Sequence, residues 1–252
     1  MIITRDCKLL VCGENQFGQL GMGDAKNRLT LVPHEFFTDL LIQNNEFPID
    51  IDGGISHTIV MTNKKRIFYF GNTFQACSLK PIELSFSSPK SIKCTNYATF
   101  VITERNKIFS CGLCGSGQIP FDSKLLPKSL ISCNSMISLV ELSKSLDRDE
   151  IVVDISGGSN HTCFHTNFGR VFICGKRFEN SNELQKPILM ENPFDSIENL
   201  QDYKIMHYYG RSSFFVTKTL HSYIVNFKKQ LLNCSIFDVF IITFQNSQQD
   251  DD

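Results

Sequence analysis

The sequence predicts an all-β protein, a β-propeller built from four-stranded blades. Strand-like runs that end in threonine are followed nine residues later by a glycine or its equivalent, and this spacing recurs along the chain. The runs are separated by short polar turns, and no sustained helical periodicity competes with them. Tandem units of about four short strands with glycine-rich turns are typical of β-propellers and related radial repeats.

The nine-residue spacing defines five repeats, although the fifth has lost its glycine. The anchor pairs of the five repeats are, in chain order, Thr4 and Gly13, Thr62 and Gly71, Thr103 and Gly112, Thr166 and Gly175, and Thr217 and Asn226. Successive threonines lie 58, 41, 63 and 51 residues apart, so each unit has room for about four short strands.

Between the two anchors of each repeat the sequence predicts a hairpin. The paired runs are residues 58–61 with 67–70, 99–102 with 108–111, and 162–165 with 171–174. Asn106 and Gly169 occupy equivalent turn positions, and both residue types tolerate the positive φ that tight hairpins require.

Other features recur in the same register. Gly53, Gly54 and His57 precede the second hairpin as Gly157, Gly158 and His161 precede the fourth. A proline is expected to open a further extended segment after each glycine, and these are Pro33, Pro81, Pro127 and Pro187. Residues 125–146 are long enough to contain a short helix or a surface insertion.

Composition favours a protein of the cytoplasm or nucleus. The net charge of −1 argues against broad binding to a phosphate backbone, and residues 1–6 resemble neither a signal peptide nor an anchor. The apolar run 236–244 is too short to span a bilayer. Ten scattered cysteines are typical of reduced intracellular thiols, and 22 phenylalanines with no tryptophan assign the aromatic packing to Phe and a few Tyr.

The motifs resemble a known repeat. Gly-Gly-x-x-His-Thr, the hairpin, and Cys-Gly-x-Asn-x-x-Gly-Gln-Leu-Gly-x-Gly together resemble the repeat of the regulator of chromosome condensation family. The last motif spans residues 12–23, and the resemblance covers residues 1–226. Its signature positions, expected to be structural, are Gly13, Asn15, Gly18, Gln19, Leu20, Gly21, Gly23, Gly53, Gly54, His57, Gly71, Gly112, Gly117, Gly157, Gly158, His161 and Gly175.

The resemblance implies a seven-bladed ring, which needs roughly 350 residues at about fifty residues per blade. With about five recognisable repeats, this chain of 252 residues is expected to form an incomplete or irregular propeller. We expect one domain over residues 1–244 and an acidic disordered tail over 245–252, with a last strand in 231–244 that closes the ring or covers an edge. Self-association that covers open blade edges is a further expectation.

Glycine-rich segments first suggest a phosphate-binding loop. Such a loop opens directly into a helix, whereas residues 24–33 end in strand formers and a proline. Residues 112–117 match 13–18 as a degraded copy of the same turn. The sequence therefore predicts no cofactor site.

Two cysteine and histidine patterns suggest a metal. Cys111 and Cys114 have chelating spacing, and His161, Cys163 and His165 alternate along one strand. However, Cys111 shares its repeat position with Cys12 and Cys174, Cys114 falls at the position of Asn15, and His161 falls at that of His57. We therefore predict neither a metal site nor a catalytic residue.

Three functions remain open. The first is a non-enzymatic adaptor or regulatory module that binds a protein through one face of a rigid scaffold. The second, implied by the resemblance, is guanine-nucleotide exchange on a small GTPase. In that mechanism a part of the propeller wedges into the nucleotide site of the GTPase, and no residues of this chain match such a wedge. The third, also implied by resemblance, is substrate capture as in the propellers of large ubiquitin ligases. No nucleic-acid or membrane partner is predicted.

Overall fold

The computed structural model describes residues 1–72, 77–120, 132–175, 184–189, 203–207 and 213–217. These residues form antiparallel sheets in which the strands follow one another in chain order. Three of the sheets have four strands each, which confirms the predicted four-stranded blades of an all-β propeller.

Blade 1 contains three strands, β1 (Ile2–Ile3), β2 (Leu9–Gly13) and β3 (Arg28–Pro33), which correspond to the second, third and fourth strands of the other blades and are counted as such below. Helix α1 (Glu35–Asn44) connects it to blade 2, which consists of β4 (Pro48–Gly53), β5 (His57–Thr62), β6 (Ile67–Asn72) and β7 (Cys77–Leu84). Blade 3 consists of β8 (Pro89–Cys94), β9 (Ala98–Thr103), β10 (Ile108–Leu113) and β11 (Ser132–Ser138).

Helix α2 (Val140–Ser145) leads into blade 4, which consists of β12 (Val152–Gly157), β13 (His161–Thr166), β14 (Val171–Gly175) and β15 (Leu184–Leu189). Strands β16 (Tyr203–His207) and β17 (Ser213–Thr217) pair as part of a fifth unit. Asn226, the segment 231–244 and the tail 245–252 lie outside the described residues.

The first strands of successive blades contact one another, so β4, β8 and β12 are the innermost strands. The up-and-down order then gives each blade two ends. We call the end with the turns between second and third strands the turn face; these turns are residues 4–8, 62–66, 103–107 and 166–170. We call the opposite end, with the loops between third and fourth strands, the loop face.

The apolar core lies between blades. Val60, Phe68 and Phe70 of blade 2 pack with Leu9 and Val11 of blade 1. A second cluster joins blades 2 and 3, and a third joins blades 3 and 4, where Phe100 and Phe164 meet edge to face with ring centroids 5.8 Å apart. Phenylalanine therefore supplies the aromatic packing, as predicted.

Helix α1 was not predicted. Phe37 is buried and packs edge to face on Phe68, which seats the helix on the core of blades 1 and 2. Asn45 ends the helix in the left-handed conformation; its N–H donates to the carbonyl of Leu41, and the N–H of Glu46 donates to the carbonyl of Leu40. The apolar spacing of residues 36, 37, 40 and 41 is the signal that could have found this helix. Helix α2 lies inside the segment 125–146, where a short helix was expected.

The expectation that prolines open a further extended segment was wrong. Pro33 is the last residue of β3, while Pro81 and Pro187 lie inside β7 and β15; Pro127 is outside the described residues. These fourth strands are the last in their sheets. An edge strand accommodates proline, which has no backbone N–H, because a position that faces away from the sheet has no neighbouring strand to which it must donate.

Candidate functional site

The glycine at or next to the end of each third strand lies at a β-bulge. The pairing with the fourth strand shifts at the residue before it, which is Cys12, Phe70, Cys111 or Cys174. All four glycines have positive φ, with values of 112°, 92°, 128° and 97° for Gly13, Gly71, Gly112 and Gly175.

Three of these glycines also allow a close approach between backbone segments. A Cβ on Gly71, Gly112 or Gly175 would collide with the carbonyl oxygen of Ser56, Tyr97 or Asn160, respectively. A Cβ on Gly13 would meet nothing within 4 Å. Blades 2, 3 and 4 therefore need glycine here for space as well as for conformation.

Residues 12–23 fold around the buried side chain of Asn15. Its Oδ1 accepts the N–H of Leu20 at 2.8 Å, and its Nδ2 donates to the carbonyl of Asp24 at 2.8 Å. The N–H of Asn15 donates to Oδ1 of Asn27 at 2.9 Å. The amide holds the loop closed from inside, so its polar atoms are not available to a ligand.

The same loop clasps blade 2. The Oγ1 of Thr58 donates to the carbonyl of Gln19 at 2.8 Å, and the N–H of Gly23 donates to the carbonyl of Leu79 at 2.8 Å. A Cβ on Gly18 would lie 2.7 Å from Cδ2 of Leu79, and one on Gly21 would lie 2.8 Å from Nε2 of His34. The loop is thus an inter-blade clasp, in which glycine permits tight packing.

The degraded copy in blade 3 keeps this geometry. The N–H of Gly117 donates to the carbonyl of Cys114 at 2.9 Å, as Gly18 does to Asn15. Gln118 accepts the N–H of Ser116 on its Oε1 at 2.9 Å, as Gln19 does for Phe17 at 3.0 Å. The Sγ of Cys174 donates to the carbonyl of Gln118 at 3.2 Å, so this loop also reaches the next blade.

The Gly-Gly-x-x-His motif joins blades as well. Nε2 of His57 lies 3.1 Å from Oγ1 of Thr99 in blade 3, and burial lowers the pKa of His57 to about 4. The N–H groups of Gly54 and Gly158 donate to the carbonyls of His57 and His161 at 3.0 and 3.1 Å. A Cβ on Gly53 would lie 3.1 Å from the carbonyl oxygen of His57, and one on Gly157 would lie 2.6 Å from Cγ2 of Thr95.

The cysteine and histidine patterns stay in their repeat positions. Cys111 lies at the bulge of β10, Cys114 is buried at the position of Asn15, and burial lowers the pKa of both His161 and His165 in β13. Within the described ranges, no group of three or more His, Cys, Asp or Glu residues is arranged to hold a metal ion. Burial also raises the pKa of the Cys94 and Cys174 thiols well above the ordinary value, which makes them weak nucleophiles.

The innermost strands carry a charged contact between blades. The Nζ of Lys93 in β8 lies 2.8 Å from Oδ1 of Asp154 in β12. Asp52 in β4 accepts the N–H of Cys94 on Oδ2 at 2.8 Å, although burial still raises its pKa. These groups link neighbouring blades directly.

The turn face repeats a different arrangement. The fourth residue of each turn has positive φ, with values of 63°, 61°, 57° and 76° at Cys7, Lys65, Asn106 and Gly169. At all four turns the N–H of the threonine donates to the carbonyl four residues on, at 2.9 Å. The turn conformation is therefore common to the blades, even though the residue at its strained position differs.

Blades 2 and 4 add a buried carboxylate that holds the turn to the incoming segment. Glu46 accepts Oγ1 of Thr62 at 2.7 Å and NH1 of Arg66 at 2.9 Å. Glu150 accepts Oγ1 of Thr166 at 2.7 Å and Nε of Arg170 at 2.8 Å. We call this Glu–Thr–Arg set the bracket.

Arg170 forms a second bond to Glu150 through NH2, so the pair is bidentate. These bonds, with those from Thr166 and the N–H of Asp147, hold the pKa of Glu150 at about 2 even though burial opposes the shift. The guanidinium groups of Arg66 and Arg170 also lie over the rings of Phe68 and Phe172, at 4.8 and 5.3 Å from the centroids.

Blade 3 has no bracket at the matching positions. Ser87 and Lys107 stand where blade 2 has Glu46 and Arg66. Thr103 instead donates its Oγ1 to the backbone carbonyl of Lys107 at 3.1 Å. The Lys107 side chain is exposed.

Apolar side chains are also exposed on the turn face. Ile49 and Val153 lie at equivalent bulges of the innermost strands β4 and β12 and are 44% and 47% exposed. Phe168, at the tip of the blade 4 turn, is 51% exposed. In contrast to the buried signature residues, about half of each of these apolar side chains is exposed to solvent.

None of the described helices is both long and apolar enough to cross a membrane.

Known proteins include relatives that this chain matches over part of their length. The chain is 29% identical over 124 residues to the ultraviolet-B receptor UVR8 of Arabidopsis thaliana, an alignment that covers 44% of this chain and 26% of the relative. It is 25% identical over 231 residues to an RCC1 repeat-containing protein of Dictyostelium discoideum, covering 81% and 44%. No family model matches the chain.

Solved structures share the fold. Human WBSCR16 has a TM-score of 0.62 at 18% identity, covering 76% of this chain and 50% of the other. Yeast RCC1 (Prp20) bound to Kap60 has a TM-score of 0.61 at 14% identity, covering 90% and 53%. Prp20p of Saccharomyces cerevisiae, described with its binding properties to Gsp1p and histones, has a TM-score of 0.60 at 15% identity, covering 89% and 55%.

The chain thus spans about half the length of these structures and less than half of the two sequence relatives. The repeat register, the four-stranded blades and these relatives agree with the resemblance read from the motifs. The chain thus has the β-propeller fold of these structures, and its sequence is similar to RCC1 repeat proteins.

Proposed function

We propose that the chain is a non-enzymatic interaction module, an adaptor or regulatory subunit that binds another protein through its turn face. The observation that carries this proposal is that the residues that join the blades differ from the residues that are exposed on the turn face. The repeat signature is used to join blades, whereas Phe168 and Val153 are exposed on a rigid face. Binding to a protein partner, in the cytoplasm or nucleus, is the function that such a scaffold supports best.

The experiment is capture of partners by the tagged full chain from an extract of its own cells. We expect a protein that the chain retains and that the Phe168→Asp variant loses, because a carboxylate at this tip would have to be desolvated on binding. Leu29→Asp is the matched control, since Leu29 is 98% exposed on the edge strand β3, away from the turn tips. Retention of no protein, or equal loss by both variants, would count against the proposal.

Guanine-nucleotide exchange on a small GTPase is the second candidate. The family resemblance implies it, and the structurally similar Prp20p is described with its binding properties to Gsp1p as well as histones. Release of labelled nucleotide from a panel of small GTPases would test it, with acceleration by the chain as the expected result. If no member of the panel responds, the adaptor proposal stands alone.

Substrate capture for a ubiquitin ligase would require a partner surface of the same kind and would be detected in the capture experiment.

A further inference from the structure

We propose that the turn face of blades 2 and 3 binds an acidic protein segment. This rests on the proposed function, because it names the chemistry of the partner. The surface consists of five exposed basic side chains, and we call it the basic strip: Lys64, Lys65, Lys90, Arg105 and Lys107.

The strip is one surface and not two separate turns. The Nζ of Lys65, in the turn of blade 2, lies 3.2 Å from Oε1 of Glu104 in the turn of blade 3. Lys90, at the bulge that opens β8, donates its Nζ to Oδ1 of Asn106 at 3.1 Å. Side chains from both turns and from the innermost strand therefore lie within reach of one extended ligand.

Two of the five positive charges, those of Lys64 and Lys90, are held in place by neutral oxygens. Lys64 donates its Nζ to the carbonyl of Asn44 at 2.8 Å, and Lys90 donates to an amide oxygen. The connecting residues 85–90 contain no acidic residue, and within turns 62–66 and 103–107 the acidic residue is Glu104. A cation fixed on a neutral acceptor keeps its charge and loses less conformational freedom on binding, so it is preorganised for a carboxylate.

The arginine of the neighbouring bracket behaves differently. Arg66 is held by Glu46 on one side and by both carboxylate oxygens of Glu83 on the other, at 2.9 and 2.6 Å. Its charge is therefore compensated by two carboxylates within the protein, whereas Lys64 and Lys90 donate to neutral oxygens.

The strip is specific to blades 2 and 3. The positions of Lys64, Arg105 and Lys90 are occupied in blade 4 by Phe168 and Val153. Because the whole chain has a net charge of −1, the strip is a local concentration of positive charge and not the sign of a generally basic protein. It also lies beside the apolar residues assigned to partner binding.

The chemistry favours an acidic protein segment over a nucleic acid. Non-specific binding of nucleic acid relies on many phosphate contacts and, for single strands, on aromatic side chains that stack on bases. The turns 62–66 and 103–107 contain no aromatic residue, and Glu104 lies between Lys65 and Arg105. Spaced carboxylates on a flexible segment can reach the cations on either side of Glu104.

The test uses the full chain and a fluorescent twelve-residue oligoglutamate peptide, with binding measured by anisotropy at several salt concentrations. We expect binding that weakens as salt rises. The Arg105→Glu/Lys107→Glu variant should bind about tenfold more weakly, since two exposed attractions become repulsions. Lys26→Glu/Lys80→Glu is the matched control, with the same change in net charge away from the turns, and should bind as the parent does.

Three results would overturn the inference: no binding of the peptide at low salt, an equal loss in the control variant, or tighter binding of a twelve-nucleotide single strand at the same residues. Anionic vesicles serve as a further competitor, and preference for them over the peptide would also overturn it. The probe is not the cellular partner, so such a failure leaves the capture experiment with Phe168→Asp untouched.

Discussion

The loop face and the turn face of this molecule use their sequences differently. On the loop face, Asn15, Gln19 and Gly23 are bonded within their loop or to the next blade. On the turn face, the backbone of the turns is shared, but the side chains at the tips change from lysine and arginine to phenylalanine. Repetition therefore marks the residues that hold the propeller together, and departure from repetition marks exposed side chains at the tips of the turns, to which we assign the proposed partner binding.

The brackets qualify this contrast, because they are structural groups on the turn face. Glu46 and Glu150 are buried and hold their turns through Thr and Arg, whereas blade 3 omits the set. Of the four turns described on the turn face, two are held by a bracket, and those of blades 1 and 3 end in an exposed lysine, Lys8 or Lys107. Substitutions on each face test this contrast.

The largest effect is expected at the bulge glycine of blade 3. Gly112→Ala should lower the free energy of unfolding by about 3 kcal/mol or more, because the new Cβ meets the carbonyl of Tyr97 at a positive φ. Gly13→Ala shares the positive φ without the collision and should cost about 1 kcal/mol. Chemical denaturation measures both, and equal losses would contradict the role assigned to close approach.

Removing the carboxylate of a bracket should have the next largest effect. Glu150→Ala removes the acceptor of four hydrogen bonds, which come from three buried or partly buried partners, and should cost about 2–4 kcal/mol. The control is Ser87→Ala at the matching position of blade 3, which should stay within about 0.5 kcal/mol. A similar loss in both variants would mean that the bracket adds nothing beyond the shared turn.

The bracket should also make stability depend on pH. The pKa of Glu150 is about 2 in the folded chain against an ordinary 4.5, so between these values the unfolded chain binds more protons. The free energy of unfolding should therefore fall as pH drops from about 4.5 toward 2, and the Glu150→Gln variant should show a flatter curve over that range.

Buried histidines contribute in a neighbouring range, since burial lowers the pKa of His34 and His57 to about 4. Their contribution is common to parent and variant, so the difference between the two curves isolates Glu150. An exposed carboxylate, Glu104→Gln, is the control. Parallel curves for parent and Glu150→Gln would contradict the assignment.

The smallest effect on stability is expected at the tips. Lys64→Gln and Arg105→Gln replace exposed side chains and should change the free energy of unfolding by less than about 0.5 kcal/mol. Thermal unfolding monitored by circular dichroism is sufficient to detect a larger change. A loss comparable to that of Glu150→Ala would show that the basic strip stabilises the blades and would remove the contrast between the faces.

Much of the fold could be predicted from the sequence because its repeating unit is local. The threonine, the turn residue three positions later and the glycine nine positions later belong to one hairpin, and the conformations of Asn106, Gly169 and Gly112 follow from their residue types. The same register assigned Cys111 and Cys114 to repeat positions instead of a metal site.

Other features could not be predicted because they depend on contacts between segments. Helix α1 is stabilised by Phe37 against the core of two blades, and the bracket pairs Glu46 with an arginine twenty residues away. Proline in the fourth strand is acceptable because that strand lies at a sheet edge, which the order of strands decides.

The sequence by itself determined the repeat, its hairpins and the positions that need glycine, since these are set by backbone conformation over a few residues. Only the tertiary structure decided that Gln19 meets Thr58, that His57 meets Thr99, and that Lys65 and Glu104 bring two turns into one surface. Such contacts join blades, and their partners are fixed by how whole sheets pack, which no local pattern of residues specifies.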